Sequence, residues 1–321
     1  MKVKLTAIAM MALLALTAGM AQAQHNVVGY NYIVVPTNAD LKMSMPFTRQ
    51  VEATLTVGSR TDATLNVANS LSGTSTQYYL RFMSGSAKGL WTNIASYTGT
   101  TITLNGTGGS VLMKSLISGS DTFRVYKHQT LSTLFPPGQL NVSYLPGTGV
   151  NIYDNNVALA SMRQNLAAAK QASYNSGAGR WSGSGINNDT PLPPETQFIV
   201  RNNSATQALK VLTMGYAPDY TARIMIAPGG DLLIGSGYPV PVVLKNAGLG
   251  GASRTVIFYA DNTSVVNRGG TQYSWNVGSG KWSPAAGNDT PIKPSQMINL
   301  RLGSSATDNP AGTIVTINKP Y

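Results

Sequence analysis

The chain has 321 residues, no cysteine, 23 Lys and Arg against 12 Asp and Glu, and only 11% charged residues, where an average soluble domain carries roughly 25%. That composition excludes a small disulfide-stapled scaffold, and cations that are scattered rather than interleaved with aromatics exclude a nucleic-acid stripe. At this length two or three modules are expected around separate cores.

In chain order, Lys2 and Lys4 precede an apolar stretch from Ala7 to Ala18 that ends in the small-x-small pattern Ala21-Gln22-Ala23. Residues 1–23 read as a removed secretion signal. Its loss leaves 21 cations against 12 acids, a charge of +9, which favours an anionic cell-surface polymer as a partner. The stretch is shorter than the roughly 20 residues of a membrane-spanning helix, and no later segment approaches that length, so no transmembrane anchor is expected. The expected location is periplasmic, cell-surface or extracellular. The next residues, HNVVGYNYIVV (His25 to Val35), read as a strand. Two roles compete for it: an ordinary intramolecular edge strand, which is favoured, or a strand added to a neighbouring subunit's sheet by β-augmentation.

Short β-favouring runs separated by Gly, Asn, Asp, Ser and Pro then continue to the C-terminus, as in Tyr78 to Met83, Thr101 to Leu104, Phe123 to Tyr126, Phe198 to Arg201, Thr255 to Tyr259 and Thr313 to Ile317. The spacing predicts an all-β fold. Residues 24–135 are expected to form a small barrel-like module with Trp91 and Phe123 in its core, closed by a linker, LSTLFPPG (Leu131 to Gly138). The alanine-rich stretch from Val157 to Gln171 places Leu159, Met162 and Leu166 on one face and predicts the one short helix. Residues 136–230 and 231–321 are expected to be two copies of one sandwich-like or barrel-like unit.

The evidence for copying is local. Tyr174 and Trp181 bracket Ser176-Gly177-Ala178-Gly179, and Trp275 and Trp282 bracket Val277-Gly278-Ser279-Gly280. Each set predicts a hairpin with an aromatic cross-strand pair. After each comes the same phrase, NDTPLPPETQFIVRN from Asn188 and NDTPIKPSQMINLRL from Asn288. A fainter echo sets Asp40-Leu41 and Met45-Pro46-Phe47 beside Asp231-Leu232 and Tyr238-Pro239. The phrase reads as an Asx-type turn before a proline-restricted strand rather than a calcium loop, because neither Asp189 nor Asp289 stands in a dense carboxylate ladder; no metal is expected.

Six side chains are candidates for ligand binding. Tyr174, Trp181, Trp275 and Trp282 would form flat sugar platforms if exposed and core pairs if buried, the second reading being the stronger. Arg201 and Arg301 would grip carboxylates or acidic sugars with their forks, or else pair with a nearby Asp to fix the fold. Catalysis finds no motif: the two histidines are His25 and His128, and Gly177-Ala178-Gly179 lies in a hairpin loop rather than in a dinucleotide-binding turn. No cofactor is expected. A polysaccharide-acting enzyme would need two of the twelve acids to meet in a cleft.

Taken together, LPPETQFIVRN, GSGYPVPVVL (Gly235 to Leu244), MSMPFTR (Met43 to Arg49) and LSTLFPPG resemble a family of exported verrucomicrobial-type proteins whose activity is uncharacterised. The resemblance spans most of the chain beyond the signal, and the second copy departs from it in IKPSQMINLRL. It implies export and a β architecture and brings no catalytic residues with it. The expected function is a non-catalytic structural, adhesive or assembly role at the cell surface, through self-association or an anionic polymer. A carbohydrate-binding module is the alternative.

Overall fold

The structure is a computed structural model that describes residues 28–73, 75–105, 114–136, 149–153, 170–226, 231–259, 270–303 and 313–321. The expected signal at 1–23, His25 and residues 157–169 of the expected helix lie outside the described residues.

Strands dominate. β1 (Val28–Val35) and β2 (Ala39–Ser44) come first. They are followed by β3 (Val51–Arg60), β4 (Thr64–Val67), β5 (Tyr78–Phe82), β6 (Trp91–Thr98), β7 (Thr101–Leu104) and β8 (Thr122–Lys127). A four-residue helix, α1 (Leu131–Leu134), precedes β9 (Gly149–Tyr153), β10 (Lys170–Asn175), β11 (Arg180–Gly183), β12 (Ile186–Asn187), β13 (Gln197–Asn202) and β14 (Leu209–Tyr216). Next come β15 (Ala222–Ile226), β16 (Asp231–Gly235), β17 (Val242–Val243), β18 (Arg254–Tyr259) and β19 (Gly270–Asn276). The last are β20 (Lys281–Ser283), β21 (Pro291–Ile292), β22 (Met297–Leu302) and β23 (Thr313–Ile317).

The expected barrel is present, closed in the order β3-β4-β7-β6-β5-β8. Period-2 alternation explains its filling: β4 and β7 each turn every second residue inward, so Leu65, Val67, Ile102 and Leu104 meet Leu80, Phe82, Phe123 and Val125 inside. Phe123 is buried at the centre, with its ring 5.8 Å from that of Phe82. Full burial of such a side chain contributes about 2–3 kcal/mol. Trp91, the other expected core residue, is only half-buried and turns its indole N–H outward to Glu195.

Two expected boundaries change. β1 and β2 do not belong with the barrel: they pair with β14 and β13 along their whole lengths. The barrel is therefore an excursion between β2 and α1 of the first unit. Its two crossings are tied down by bridges from Thr48 to Tyr216 and from Gln129 to Leu192. β15 pairs with β23, so the second unit begins by Ala222, ahead of the expected start at 231. Local reading misplaced both limits because the pairing partners are far apart in the chain.

The described part of LSTLFPPG, residues 131–136, is packed into the first unit rather than strung between modules. Thr130 accepts a hydrogen bond from the Thr133 amide, and the Thr133 hydroxyl accepts one from the Thr130 amide, a reciprocal cap for α1. Leu131, Leu134 and Phe135 are fully buried. Lys170 and Gln171, expected at the end of a helix, instead open β10.

The two units share one plan. The first has the sheet order β12-β11-β10-β9-β13-β2 and the second β20-β19-β18-β22-β16. Each adds a two-stranded ribbon, β1–β14 or β15–β23, in matching register: Ile33 faces Val211 in one, and Ile224 faces Val315 in the other. The faint echo at Asp40 and Asp231 falls on equivalent positions, opposite Arg201 and Arg301. The sheets meet through Ile199, Leu233, Tyr259 and Met297.

Tyr238 locks the second ribbon onto its unit. Its buried hydroxyl accepts from the Ala222 amide at 3.1 Å and lies 2.8 Å and 3.0 Å from the Tyr220 and Ile317 carbonyl oxygens. Burial pushes its pKa up to about 12. Tyr238→Phe strands these backbone groups and is expected to lower stability by about 1–3 kcal/mol, read as a lower urea midpoint at unchanged slope. An unshifted midpoint would contradict this anchoring.

Candidate functional site

Both predicted hairpins form, with Tyr174 opposite Trp181 and Trp275 opposite Trp282. The loops match in detail. Asn175 Oδ1 accepts from the Ala178 amide and Asn276 Oδ1 from the Ser279 amide, both at 3.0 Å. Gly179 and Gly280 both have φ +61°, where a side chain would be strained. The rings meet edge-on at 5.3 Å and 5.2 Å.

Trp181 and Trp282 are buried, while Tyr174 and Trp275 lie half-buried against the same two cores. Of the two readings weighed for these residues, Trp181 and Trp282 take the core-pair place rather than that of a flat sugar platform, and Tyr174 and Trp275 keep part of each ring at the surface. The Trp181 indole donates to the Phe135 carbonyl at 3.1 Å, which ties the hairpin to the end of α1.

The repeated phrase serves the hairpins. Asn188 Oδ1 accepts from the Trp181 amide at 2.7 Å, and Asn288 Oδ1 from the Trp282 amide at 2.9 Å. Asn187 closes an Asx turn by accepting from the Asp189 amide. Asp289 meets Lys245 at 2.7 Å on the open surface, a pair of small energetic worth. Among the described residues there is no cluster of three or more His, Asp or Glu able to hold a metal.

Arg201 sets its fork on the buried carboxylate of Asp40 at 3.1 Å and 3.3 Å, inside the β13–β2 pair. Arg301 is exposed at the equivalent place opposite Asp231. The structure does not bring the six candidates into one site.

It assembles a cluster that sequence reasoning missed. The proline turns of the two phrases each carry a left-handed non-glycine residue, Glu195 at φ +66° and Ser295 at φ +58°. The Thr196 amide reaches back to the Pro193 carbonyl, and the Gln296 amide to that of Lys293. A turn of this kind normally takes Gly or Asn at the left-handed position, so both residues are held there by contacts. Glu195 accepts from buried Arg81 at 3.1 Å and from the Trp91 indole at 2.8 Å, joining the first unit to the barrel. Ser295 accepts from Asn31 at 2.8 Å, joining the second unit to β1. The available sequence signal was the difference between PPET and KPSQ at matched positions.

Around this joint, Arg81 donates to the Gly89 carbonyl and stacks 4.2 Å from the Tyr220 ring. Burial opposes its charge, but Tyr220, Glu195 and Tyr79 outweigh it and hold its pKa above the ordinary value. Tyr79 stacks on Tyr126 and meets the His128 ring at a tilt, with centroids 5.1 Å apart. A cleft of about 40 Å³ lies here, lined by Phe47, Tyr79, Arg81, Glu195 and Tyr220 among others. It has room for a few waters. A wider concavity of about 570 Å³ lies along Arg180 to Thr190. Each is lined by one carboxylate, Glu195 or Asp189, and Glu195 is already engaged by Arg81 and Trp91.

The remaining feature is the outer face of β1. Val28, Tyr30, Tyr32 and Val34 alternate outward with exposures of 62%, 75%, 43% and 47%, beside Met214 at 37%. The inward residues are used: Gly29 lies against the Phe47 ring and Ile33 packs on the first core. Among the described residues no helix is long and apolar enough to cross a membrane.

Compared with known proteins, the chain matches no family model, no curated protein and no solved structure.

His128 supplies a pH test of the joint. Its buried ring donates through Nδ1 to the Leu192 carbonyl at 3.2 Å, and burial lowers its pKa from 6.5 to about 4. The unfolded chain binds the extra proton first, so this contribution is complete above pH 6.5 and is lost as pH falls from 6.5 towards 4. A loss of about 2–3 kcal/mol is expected over that range, measured by urea unfolding at stepped pH. His128→Gln should flatten this part of the profile, and an equally steep variant would contradict the assignment.

Proposed function

We propose that this chain is an exported, non-catalytic structural or assembly protein of the cell surface, with its two matching units descended from one. The observation that supports this best is the β1 face, where five apolar side chains stand exposed on a regular ribbon. Contiguous apolar surface of that kind marks an interaction site rather than an ordinary solvent face. The buried charged pairs have structural partners: Arg81 and Glu195 join the barrel to the first unit, and Arg201 and Asp40 pair inside the first unit's own sheet. Export rests on Lys2, Lys4, the apolar stretch and Ala21-Gln22-Ala23.

A carbohydrate-binding role keeps one observation in its favour, the exposed rings of Tyr30 and Tyr32 two residues apart on one face. The proposal is tested by expressing the full chain, fractionating the cells and measuring the intact mass of the product. The expected result is a chain shortened by residues 1–23 and digested by protease added to intact cells. A full-length, protease-protected cytoplasmic chain would overturn export and with it the surface role.

A further inference from the structure

The two ribbons occupy equivalent places but differ in their cover. In the second unit, the outward residues of β15–β23 include Met225 opposite Ile314 and Arg223 opposite Thr316. Met225 and Ile314 pack on the barrel core, and Arg223 donates to the barrel carbonyls of Ser86 and Lys88 at 2.8 Å and 2.9 Å. The matching pairs of β1–β14 are Val34 with Lys210 and Tyr32 with Leu212, continued by Tyr30 with Met214 and Val28 with Tyr216; of these Leu212 is half-buried against the first core and Tyr216 is half-buried. The barrel covers the second ribbon, and the first presents its aromatic face to solvent.

We propose that this face is the seat of a second copy of the same chain, the two ribbons stacking about a two-fold axis that runs across the strands. The inference rests on the assembly role proposed above and names its partner. Three observations favour a second copy over other occupants. Among these eight positions Lys210 is the only charged residue, so an anionic polymer finds one cation there, while two basic chains meet without opposed charges.

The axis turns one ribbon end for end, so Lys210 of each copy lies over the end of the other ribbon that carries Val28 and Tyr216. Exposed apolar area is the second observation. With aromatic side chains offering roughly 150–250 Å² each, the face presents on the order of 500 Å², and two such faces approach the roughly 1,200 Å² of the smaller specific interfaces. The third is regularity: β1 and β14 pair without a register shift from Val28 opposite Tyr216 to Val35 opposite Leu209, so the outward positions form one continuous surface that a second copy can match along its whole length.

The test uses the chain from residue 24 to 321, weighed by sedimentation across a micromolar concentration series. A dimer is expected, with its dissociation constant raised at least about thirtyfold by Tyr30→Lys with Tyr32→Lys, which sets like charges against each other across the axis. Val277→Ser, at an exposed apolar position in the second hairpin loop, should leave it unchanged. Because the chain has no cysteine, Tyr32→Cys provides an arm that does not disturb the charge of the face. A bifunctional thiol cross-linker of about 10–12 Å span, matching the spacing of stacked sheets, should trap a covalent dimer with Tyr32→Cys and not with Val277→Cys. A monomer at every concentration, or a dimer indifferent to both ribbon variants, would overturn the proposal. Retention of a monomeric chain on a glucan or on anionic vesicles would overturn it in favour of those partners, while leaving the export result standing.

Discussion

The arrangement of the molecule depends on one buried ion pair. Arg81 stands in the barrel wall and Glu195 on a turn of the first unit, 114 positions further along. A guanidinium this deeply buried must have a carboxylate, because an uncompensated charge in such a place costs several kcal/mol. The carboxylate can reach it only because its own backbone takes a left-handed conformation that a charged residue rarely adopts. Strain in the turn and desolvation of the cation are thus offset together by one contact, reinforced by the Trp91 indole and the Tyr220 ring. With that joint made, the barrel is placed for its core to meet Met225 and Ile314 of the second unit.

The turn also explains how one plan supports two different neighbours. Asn188 and Asn288 do the same work in both units, clasping the strand that carries the buried tryptophan. The residue at the left-handed position then differs. Glu195 docks a barrel, whereas Ser295 docks β1 and β2 through Asn31 and Ser44. The shared part of the phrase builds each unit, and the variable part chooses what the unit holds. This asymmetry leaves the first ribbon with an apolar outer face that its counterpart has covered.

Much of this was legible locally. Strand runs, the barrel and both aromatic hairpins follow from alternation and turn chemistry, which act over a few residues. Their cross-strand pairs were set by counting inward from each loop. What escaped was non-local: Asp40 meets Arg201 across 161 positions, and no local pattern reveals that β2 closes a sheet, and β1 a ribbon, whose other strands come after the barrel. α1 escaped because LSTLF is too short for a helical period to show, and its identity lies in the reciprocal threonine cap. Tyr174, Trp181, Trp275 and Trp282 were visible as pairs, but only packing shows which way they face.

The measurement closest to the central claim is a double-mutant cycle on Arg81→Met and Glu195→Ala, followed by urea unfolding of all four proteins. If the pair holds the barrel in place, each single change is costly, the double change restores part of the loss, and the coupling is on the order of 2–3 kcal/mol. Additive effects, within about 0.5 kcal/mol, would show that the barrel is seated by something other than this pair.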